Sequence, residues 1–240
     1  GTLSIFDGDK FEASNVNRVY GSHVSDIGQA KVQIAKQNIE QIGLGTKINT
    51  YDEHITREKT AAQLRNCDVI FGCTDKEIPR SILIQLSLRY LMPVIDMGVT
   101  ITSAENVISD VVGRVTTLML GEACVFCRQR ITAERIRFES LSDGERKSLA
   151  REGYAPELEM PNPAVMPFTS AIAALAVSEL LHRLTGFMGP DRNSSEVLCF
   201  FDQARLRTNR PQSGNGCLCT KQSLWGRGDS TSFLDLSWPD

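Results

Sequence analysis

The sequence predicts an α/β protein with a mostly parallel sheet that is flanked by helices. Apolar segments of strand length alternate with helical segments through the first half of the chain, and acidic residues follow two of the strands. Strands that alternate with helices pair in parallel through right-handed crossover connections. The 240 residues are 41% hydrophobic and 23% charged, which is ordinary for a globular protein. This length suits one large α/β domain or a domain with a small appendage.

Strands and helices alternate in order in the first half of the chain. An apolar strand ends at Phe6. Ser25 and Asp26 can cap a helix that runs to about Gln41, and Gly43 ends it. The segments that follow are predicted to be strand Lys47–Asp52, helix Thr60–Arg65, strand Cys67–Gly72, helix Pro79–Tyr90, strand Pro93–Val99 and further strand residues from Asn106 to Leu120.

The second half of the chain contains a charged segment, a proline-rich segment and an apolar helix. Residues 131–159 are charged and helical in character, and the prolines of residues 156–167 predict an extended connection. Thr169–Leu184 has small or apolar residues on nearly every side, and such a helix is buried in the core or at a subunit interface. A strand, Val197–Phe201, and a turn-rich tail after Asn209 follow.

Charge and hydropathy argue against a nucleic-acid-binding or membrane protein, and the cysteines favour a reducing compartment. A formal net charge of −3 gives no reason to expect binding to nucleic acid or membranes, and no apolar run is long enough to span a bilayer. Four of the seven cysteines form two close pairs, which favours a metal in a reducing compartment, so a cytoplasmic location is expected. The chain shows no signal peptide and begins without Met in a strand-like segment, which suggests a fragment.

The stretch from Ile5 to Arg18 has the residue types of a nucleotide site. Asp7 follows a strand, and in an open α/β sheet an acid at that position can accept hydrogen bonds from ribose hydroxyls. Asp9 follows closely, and Arg18 is a fixed cation whose planar fork matches phosphate. The alternative is a strand that is followed by a solvated turn.

Asp75 and Lys31 are further candidates for this site. Asp75 follows the buried strand C-D-V-I-F-G and offers the oxygen ligands that Mg²⁺ takes, although Asp is also a favoured N-cap for a helix that begins near Lys76. Lys31 lies in the first turns of a helix and can reach a phosphate, although an isolated helical lysine is usually a surface residue. Because ligands bind beyond the carboxyl ends of such strands, we expect Asp7 and Asp75 to be neighbours.

Two cysteine pairs are the clearest local signal of a metal site. Cys124 and Cys127 have the two-residue spacer that lets one turn present two thiolates to zinc, and Cys217 and Cys219 have a tighter, one-residue spacer. Four thiolates leave no open position, so this zinc is predicted to be structural and to hold the tail to the core. Unligated thiols or a disulfide are the alternatives. The other cysteines lie in apolar contexts that are typical of buried thiols: Cys67, Cys73 and Cys199.

The motifs occur in an order that is specific in combination. D-G-D-x-x-x-x-S-N-x-N-R begins at Asp7, G-x-A-K ends at Lys31, C-T-D ends at Asp75 and C-x-x-C begins at Cys124. In this combination residues 3–220 resemble the ubiquitin-activating enzyme-like superfamily of ThiF-, MoeB- and HesA-type adenylyltransferases. The superfamily includes adenylating enzymes of thiamine and molybdopterin biosynthesis and the activating enzyme of the ubiquitin-fold modifier system.

The resemblance implies an activity and a domain organisation. It implies ATP-dependent adenylation of the C-terminal glycine carboxylate of a ubiquitin-like or sulfur-carrier protein, with release of pyrophosphate. Catalysis of such a substitution is mainly positioning and charge neutralisation. It also implies a Rossmann-like adenylation domain over residues 1–210, with residues 131–167 as a helical and crossover-loop insertion and residues 211–240 as a zinc-ligand turn and flexible tail.

The resemblance further implies roles for six residues and a quaternary state. Asp7 is expected to hold the ribose, with Asp9 close by. Asn17, Arg18 and Lys31 are expected to contact phosphates. Asp75 is expected to bind Mg²⁺. The catalytic residues are expected to be Arg18, Lys31 and Asp75. Because members of the superfamily are commonly dimers, a homodimer is expected.

Three features depart from the family pattern. The family's first strand and glycine-rich nucleotide loop are missing ahead of Leu3, which predicts poor ATP binding by this chain alone. The usual T-D-N is Thr74-Asp75-Lys76 here, although Arg80 can still serve as the basic residue of the following helix. Residues 151–160, where thioester-forming members carry a cysteine, contain none, so a thioester step lacks its expected nucleophile.

Two alternatives to this function stay open. One is a non-catalytic or partially active scaffold subunit of the same fold, which the missing glycine-rich loop favours. The presence of Asp7, Arg18, Lys31 and Asp75 together argues against it. The other alternative is adenylation of a small-molecule, peptide or RNA carboxylate.

Overall fold

The computed structural model describes residues 1–104, 107–151, 165–190, 192, 194–230 and 232–238. The chain divides into two units. The first comprises Gly1–Cys67 together with Thr231–Asp240, and the second comprises Asp68–Ser230. Each unit contains its own β-sheet and helices.

The first unit is built on two parallel strands, β1 (Thr2–Phe6) and β2 (Lys47–Tyr51). Helix α1 (Lys31–Ile42) connects them, and a short helix, α2 (Glu58–Gln63), follows β2. Gly43, with a φ of 75°, ends α1 in the left-handed conformation that glycine adopts without steric cost. The parallel pairing places the carboxyl ends of β1 and β2 at one edge of the sheet.

Helix α1 begins at Lys31, later than the sequence predicts. The predicted capping residues Ser25 and Asp26 instead lie in a short 3₁₀ turn. Gly28, with a φ of 92°, then turns the chain, and its N–H donates to the Phe11 carbonyl at 2.8 Å. Because this pairing with the segment after β1 holds the chain extended, the predicted start of the helix at Ser25 is wrong.

The second unit is built on one five-stranded sheet. Its strands, in chain and spatial order, are β3 (Ile70–Gly72), β4 (Val94–Ala104), β5 (Val107–Leu118), β6 (Glu196–Phe200) and β7 (Arg205–Asn209). Strands β3 and β4 are parallel and are joined by α3 (Glu77–Tyr90), whereas the later pairs are antiparallel. Too few residues separate β4 from β5, and β6 from β7, for a crossover, so each pair forms a hairpin. The predicted α/β class with flanking helices is confirmed, with parallel pairing up to β4.

The charged segment forms two short helices, α4 (Ala133–Glu139) and α5 (Asp143–Arg151). Residues 152–164 lie outside the described residues, and with them most of the predicted proline-rich connection and part of the predicted insertion. Within the described ranges, no helix combines the length and the apolar character that crossing a bilayer requires.

Helix α6 (Met166–Thr185) covers the sheet of the second unit. Gly113 on β5 makes room for it, because a Cβ there would lie 2.3 Å from the Ile172 Cδ1 atom. The core between helix and sheet consists of Ile95, Met97, Val115, Ile172, Ala176 and Val197. Other apolar residues of α6 are exposed, among them Val177, Leu181 and Leu184. Within its unit the helix is therefore buried on one face only.

The segment after β7 packs against α3 within the second unit. The Tyr90 hydroxyl donates to the Gly228 carbonyl at 2.8 Å, and the Gly226 N–H donates to the Leu88 carbonyl at 3.0 Å. The Trp225 indole donates to the carbonyl of Cys219 at 3.2 Å. These bonds connect the second cysteine pair to the helix that follows β3.

Candidate functional site

The carboxyl end of β1 carries three of the residues that the sequence predicts for a nucleotide site. The Asp7 carboxylate accepts the Asp9 N–H at 2.8 Å, and the Lys31 ammonium donates to the Asp9 carboxylate at 2.7 Å. The Lys31 N–H also donates to the Asp9 carbonyl at 3.1 Å, which sets the first residue of α1 against the strand end. Asp7, Asp9 and Lys31 form what we call the acid–lysine cluster.

Asp7 is the half-buried member of the acid–lysine cluster. Burial raises the pKa of its carboxyl above the ordinary value, and the negative charge of Asp9 acts in the same direction. The Asp9 N–H and the Lys31 ammonium oppose this rise in pKa because they stabilise the ionised form. An ionised Asp7 therefore gains from further hydrogen-bond donors, such as the hydroxyls of a ribose.

Sequence reasoning misses two residues beside this cluster, Gly8 and His54. A Cβ at Gly8 would lie 2.9 Å from the His54 backbone nitrogen, so a larger residue does not fit between the two acids. The His54 Nε2 atom lies 3.7 Å from an Asp9 carboxylate oxygen. The motif D-G-D contains the signal for Gly8, whereas His54 follows β2 and no local pattern connects it with Asp9.

An aromatic pair lies directly before the acids. The rings of Phe6 and Tyr51 stack with centroids 4.4 Å apart and planes 2° from parallel. The two residues are register partners at the ends of β1 and β2, and the Asp7 N–H donates to the Tyr51 carbonyl at 3.2 Å. The end of the sheet thus fixes the backbone of Asp7.

Asn17 and Arg18 belong to the same unit but lie outside the acid–lysine cluster. Both are exposed, and neither side chain makes a hydrogen bond or ion pair with a described residue. Asn15 is buried, and its Oδ1 atom accepts the Glu12 N–H at 3.0 Å in a capped 3₁₀ turn. The motif S-N-x-N-R therefore combines one structural asparagine with two side chains that are open to a ligand.

Asp75 lies in the loop between β3 and α3, in the second unit. Its side chain is exposed, and Lys76, not Asp75, is the N-cap residue of α3. The N–H groups of Glu77 and Ile78 donate to the Glu139 carboxylate of α4, at 2.8 and 2.9 Å. Because Glu139 satisfies these donors, the alternative interpretation of Asp75 as a helix cap is wrong. The Asp75 carboxylate stays available.

The predicted nucleotide residues are divided between the two units. Asp75 belongs to the second unit. The others belong to the first: Asp7, Asp9, Asn17, Arg18 and Lys31. The expected proximity of Asp7 and Asp75 therefore stays a prediction.

A buried carboxylate lies close to the Asp75 loop. Asp96 on β4 is 1% exposed and accepts hydrogen bonds from the Nε of Arg80, at 3.2 Å, and from the Nη1 of Arg114. A carboxylate enclosed by a sheet is stable only when it is paired. Burial lowers the pKa of the Arg114 guanidinium, and the Asp96 carboxylate opposes this because it favours the charged form. Sequence reasoning misses Asp96, although an acid within the strand P-V-I-D-M-G-V is a signal.

Four cysteines form a cluster in the second unit, as the sequence predicts. Their Sγ atoms lie within 4.8 Å of one another, at 3.5 Å between Cys124 and Cys217 and 3.5 Å between Cys127 and Cys219. A Zn–S bond of about 2.3 Å places the sulfurs of a tetrahedral site about 3.8 Å apart, whereas a disulfide needs about 2.05 Å. None of the seven cysteines is part of a disulfide. This four-cysteine cluster therefore fits zinc, and the disulfide alternative is wrong.

The thiols of the four-cysteine cluster also fit a cation. Burial raises the pKa of Cys124 and of Cys217. Burial acts on Cys127 as well, but the Gly214 N–H, at 3.2 Å, and the neighbouring thiols outweigh it, so the pKa of Cys127 is lowered. Four crowded sulfurs cannot all ionise near neutral pH without a compensating positive charge, and a dication supplies that charge.

Buried ionic bonds connect the first cysteine pair to the sheet. Arg128 donates to the Asn209 side-chain oxygen at 3.0 Å and pairs with Glu196 on β6 at 3.4 Å. Glu196 is 2% exposed and also pairs with Arg130 at 3.3 Å. Burial by itself raises the pKa of Glu196, but the bonds from Asn209 and Arg130 outweigh it, so the pKa lies below its ordinary value.

The ThiF family model matches residues 1–220 of the chain. The chain belongs to the ThiF family. The resemblance to the ThiF-, MoeB- and HesA-type superfamily, which the sequence predicts over residues 3–220, is thus confirmed.

Curated relatives share part of the chain. The adenylyltransferase and sulfurtransferase Uba4 of Pyricularia oryzae is 24% identical over 127 residues, which are 53% of this chain and 26% of that protein. The adenylyltransferase and sulfurtransferase MOCS3 of Dictyostelium discoideum is 30% identical over 80 residues, 33% of this chain and 19% of that protein. The aligned part is thus about a fifth to a quarter of the length of these relatives.

Solved structures share the fold. E. coli MccB with ATP aligns with a TM-score of 0.66 at 14% identity, over 91% of this chain and 59% of that chain. PaaA aligns with a TM-score of 0.57 at 16% identity, over 88% and 64%. At such identities the likeness concerns the fold alone.

In this ThiF-family chain, Cys73 and Cys199 lie outside the four-cysteine cluster, and their pKa shows whether either thiol is a reactive nucleophile. Cys73 is exposed as a residue, yet its sulfur lies 3.8 Å from the Met97 sulfur. Loss of hydration around that sulfur, together with the charge of Asp96, raises the pKa of Cys73 to about 11. Burial also raises the pKa of Cys199. Neither thiol has the lowered pKa of a reactive nucleophile.

Proposed function

We propose that the chain is the adenylation module of an enzyme that uses ATP and Mg²⁺ to activate the C-terminal carboxylate of a ubiquitin-like or sulfur-carrier protein. The observation that carries this proposal is the acid–lysine cluster, because nucleotides bind beyond the carboxyl ends of strands in open α/β sheets. Membership of the ThiF family supports it, as do the relatives Uba4 and MOCS3, which are named as adenylyltransferases.

In the proposed reaction a carboxylate oxygen of the carrier protein attacks the α-phosphorus of ATP. The new C(O)O–P bond forms while the bond from the α-phosphorus to the β-phosphate oxygen breaks. The products are an acyl adenylate and pyrophosphate, and no atom changes its oxidation state. The protein accelerates such a substitution by holding the reactants in line and by neutralising charge on the phosphates.

Exposed and half-buried side chains of the first unit suit this task. Asp7 accepts the ribose hydroxyls in our proposal, because its half-buried carboxylate lacks full compensation. Lys31 contacts a phosphate, and Asp9 holds the Lys31 ammonium at the strand end through the 2.7 Å bond. Asn17 and Arg18 are exposed and contribute a neutral and a charged donor to the phosphates.

Asp75 is the proposed Mg²⁺ ligand of the second unit. Magnesium in nucleotide sites is held by one or two carboxylates together with substrate phosphates and water. The Asp75 carboxylate is exposed, and it is the Glu139 carboxylate that accepts the first N–H groups of α3. When bound, the ion would supply positive charge to the phosphate oxygens.

The four-cysteine cluster is proposed to hold structural zinc. Cys124 and Cys127 follow β5, whereas Cys217 and Cys219 follow β7, so the ion would join two segments that are distant in the chain. Four thiolate ligands leave no position for water or substrate, so zinc takes no part in the reaction.

Exchange of labelled pyrophosphate into ATP tests the proposed activity. The protein as its cell produces it is assayed with a candidate carrier protein, and Asp75→Ala is expected to abolish exchange while the thermal midpoint stays that of the parent. Asp68→Ala removes another exposed aspartate of the second unit and should keep the full rate. Exchange at the parental rate in folded Asp75→Ala protein would refute the role of Asp75.

Mass spectrometry of the acceptor distinguishes the substrate classes. A gain of AMP on a carrier protein with a C-terminal glycine supports the proposal. A gain of AMP on a small molecule, peptide or RNA carboxylate supports the second substrate class instead. A folded, metal-loaded protein that transfers AMP to none of them favours a scaffold subunit.

We also propose a homodimer and a cytoplasmic location. The exposed apolar residues Val177, Leu181 and Leu184 on α6 support a subunit contact. Cysteines that form no disulfide are typical of a reducing compartment. A monomer in analytical ultracentrifugation at micromolar concentration would contradict the homodimer.

A further inference from the structure

We infer that Asp96 is a positioning residue for the loop that carries Asp75, and that it acts through Arg80. The inference rests on the proposed function, because Asp75 is there the Mg²⁺ ligand. It deepens that function by naming what holds the ligand in place.

The Arg80 guanidinium joins Asp96 to the backbone of the loop. Its Nε atom donates to the Asp96 carboxylate at 3.2 Å, and its Nη2 atom donates to the Thr74 carbonyl at 2.5 Å. The Thr74 carbonyl belongs to the peptide group that links Thr74 to Asp75. Because the guanidinium is planar and rigid, anchoring its Nε atom on Asp96 determines where its Nη2 atom holds the loop.

The sheet leaves just enough space for the Arg80 guanidinium and the Asp96 carboxylate. A Cβ at Gly98 would lie 3.1 Å from the Arg80 Nη2 atom, and a Cβ at Gly72 would lie 3.3 Å from an Asp96 carboxylate oxygen. The Nη2 atom also lies 3.5 Å from the Met97 carbonyl. Glycine on either side therefore leaves the space that the ion pair occupies.

Fold stability alone is a poor explanation for this arrangement. The Asp96 carboxylate already has a buried partner in Arg114, which also donates to the Thr116 hydroxyl at 3.3 Å. Buried ion pairs are often replaceable by apolar residues without loss of stability. A second arginine, shared between the carboxylate and a loop carbonyl, is better explained by a need to hold the loop.

Thr74 is the point at which the loop is held. Besides accepting from Arg80 through its carbonyl, Thr74 accepts the Lys76 N–H on its hydroxyl at 3.2 Å. Both bonds flank Asp75, whose own side chain is exposed. A carboxylate on so short a side chain ligates a small cation well only if its backbone is fixed.

Two variants and a matched control test the inference. Asp96→Asn removes the charge that anchors Arg80 and keeps the shape of the side chain. Arg80→Lys keeps the positive charge and loses the rigid fork. Asp110→Asn removes an exposed carboxylate from β5 of the same sheet and is the control.

Amide hydrogen exchange and Mg²⁺ dependence are the two measurements. Exchange of the amides of residues 71–78 is expected to accelerate in Asp96→Asn and Arg80→Lys and to stay at the parental rate in Asp110→Asn. The rate of ATP–pyrophosphate exchange is expected to fall about 10- to 100-fold in the two variants, because Asp75 is misplaced. The Mg²⁺ concentration that gives half the maximal rate should rise as well, which a merely structural role would not produce.

The outcomes separate this inference from the proposed function. Parental amide exchange and parental Mg²⁺ dependence in folded Asp96→Asn and Arg80→Lys proteins would overturn it. If Asp96→Asn does not fold, the milder Arg80→Lys decides by the same measurements. A parent protein without ATP–pyrophosphate exchange would contradict the proposed function, and amide exchange in the loop would then decide the inference by itself.

Discussion

The acid–lysine cluster of the first unit and the buried charges of the second use the same residue types in opposite ways. In the cluster the side chain of Asp9 is 53% exposed and that of Lys31 is 26% exposed. The buried carboxylates Asp96 and Glu196 are 1% and 2% exposed, and each pairs with two arginines. Exposed ion pairs contribute little to folding, whereas breaking a buried pair is strongly destabilising.

This difference in exposure indicates which of the two regions can bind a ligand. Among the described residues, no buried side-chain nitrogen or oxygen lacks a hydrogen-bond partner, so the buried charges are already paired within the protein. In the acid–lysine cluster the Asp7 carboxylate is only half-buried, so a ligand can reach it. The buried charges therefore hold neighbouring side chains and backbone in place, whereas the acid–lysine cluster is accessible to a ligand, and the following predictions test this contrast.

Loss of the metal is expected to have the largest effect. Cys219→Ser, or chelation with EDTA, should lower the free energy of unfolding by about 5 kcal/mol or more, because the crowded thiolates lose their compensating cation. Metal analysis of the parent and denaturant titration measure this. Cys199→Ser alters a thiol outside the four-cysteine cluster and should shift stability by less than about 1 kcal/mol. A stable parent protein without metal would refute the zinc site.

Breaking the buried charges is expected to rank second. Glu196→Gln leaves Arg128 and Arg130 without their counter-charge and should lower the free energy of unfolding by about 3 kcal/mol. Glu134→Gln on α4 removes an exposed carboxylate and is the control, with an expected change below about 0.5 kcal/mol. Denaturant titration of both variants provides the comparison, and equal stability would show that Glu196 is dispensable.

Glu196 should also make stability depend on pH in a defined direction. Its folded pKa lies below the ordinary 4.5, so its contribution is present above that value and is lost as the pH falls through the folded pKa. The difference in stability between parent and Glu196→Gln should therefore narrow in acid. A difference that stays constant from pH 7 to acid would contradict this linkage.

Crowding the exposed cluster is expected to have a moderate effect. Gly8→Ala places a Cβ 2.9 Å from the His54 backbone nitrogen and should destabilise the first unit by about 1–2 kcal/mol. Gly144→Ala on α5 meets no atom within 4 Å and should be neutral or slightly stabilising. Thermal denaturation measures both. Equal thermal midpoints for the two variants would mean that the His54 backbone moves away from residue 8 at no cost in stability.

Local patterns account for the parts of the molecule that the sequence predicts. Strand and helix periodicity predicts the α/β class and most elements, with differences at their ends. The cysteine spacing predicts a cluster because each pair lies within one turn. Asp7 and Asp9 stand out because acids at a strand end have a recognisable chemistry, although their roles in nucleotide binding stay predictions.

Long-range contacts account for the parts that sequence reasoning misses. Helix α1 starts late because Gly28 pairs with Phe11, and no local signal reports such a pairing. The pairing of Arg80 with Asp96 likewise joins α3 to β4, and residue spacing does not encode it. The change to antiparallel pairing after β4 depends on the short connection to β5, which the sequence interpretation treats as continuing strand residues.

The smallest effect on stability is expected at Asp7. Asn keeps the oxygen that accepts the Asp9 N–H and removes a carboxyl whose pKa burial raises. Because the folded pKa is raised, the contribution of Asp7 to stability is fully present below the unfolded value of 3.8 and is lost as the pH rises through the folded pKa. Asp7→Asn should therefore shift the free energy of unfolding by less than about 1 kcal/mol at neutral pH, in the stabilising direction.

ATP affinity should change in the opposite direction. Asn offers one acceptor oxygen and no charge to the ribose hydroxyls, so titration calorimetry on the protein as its cell produces it should show binding about 10-fold weaker. If Asp7→Asn were instead as destabilising as Glu196→Gln, the exposed cluster would be structural and the contrast between the two regions would fail. Weaker ATP binding at higher stability would mean that the carboxylate of Asp7 opposes folding and is present because a ligand uses it.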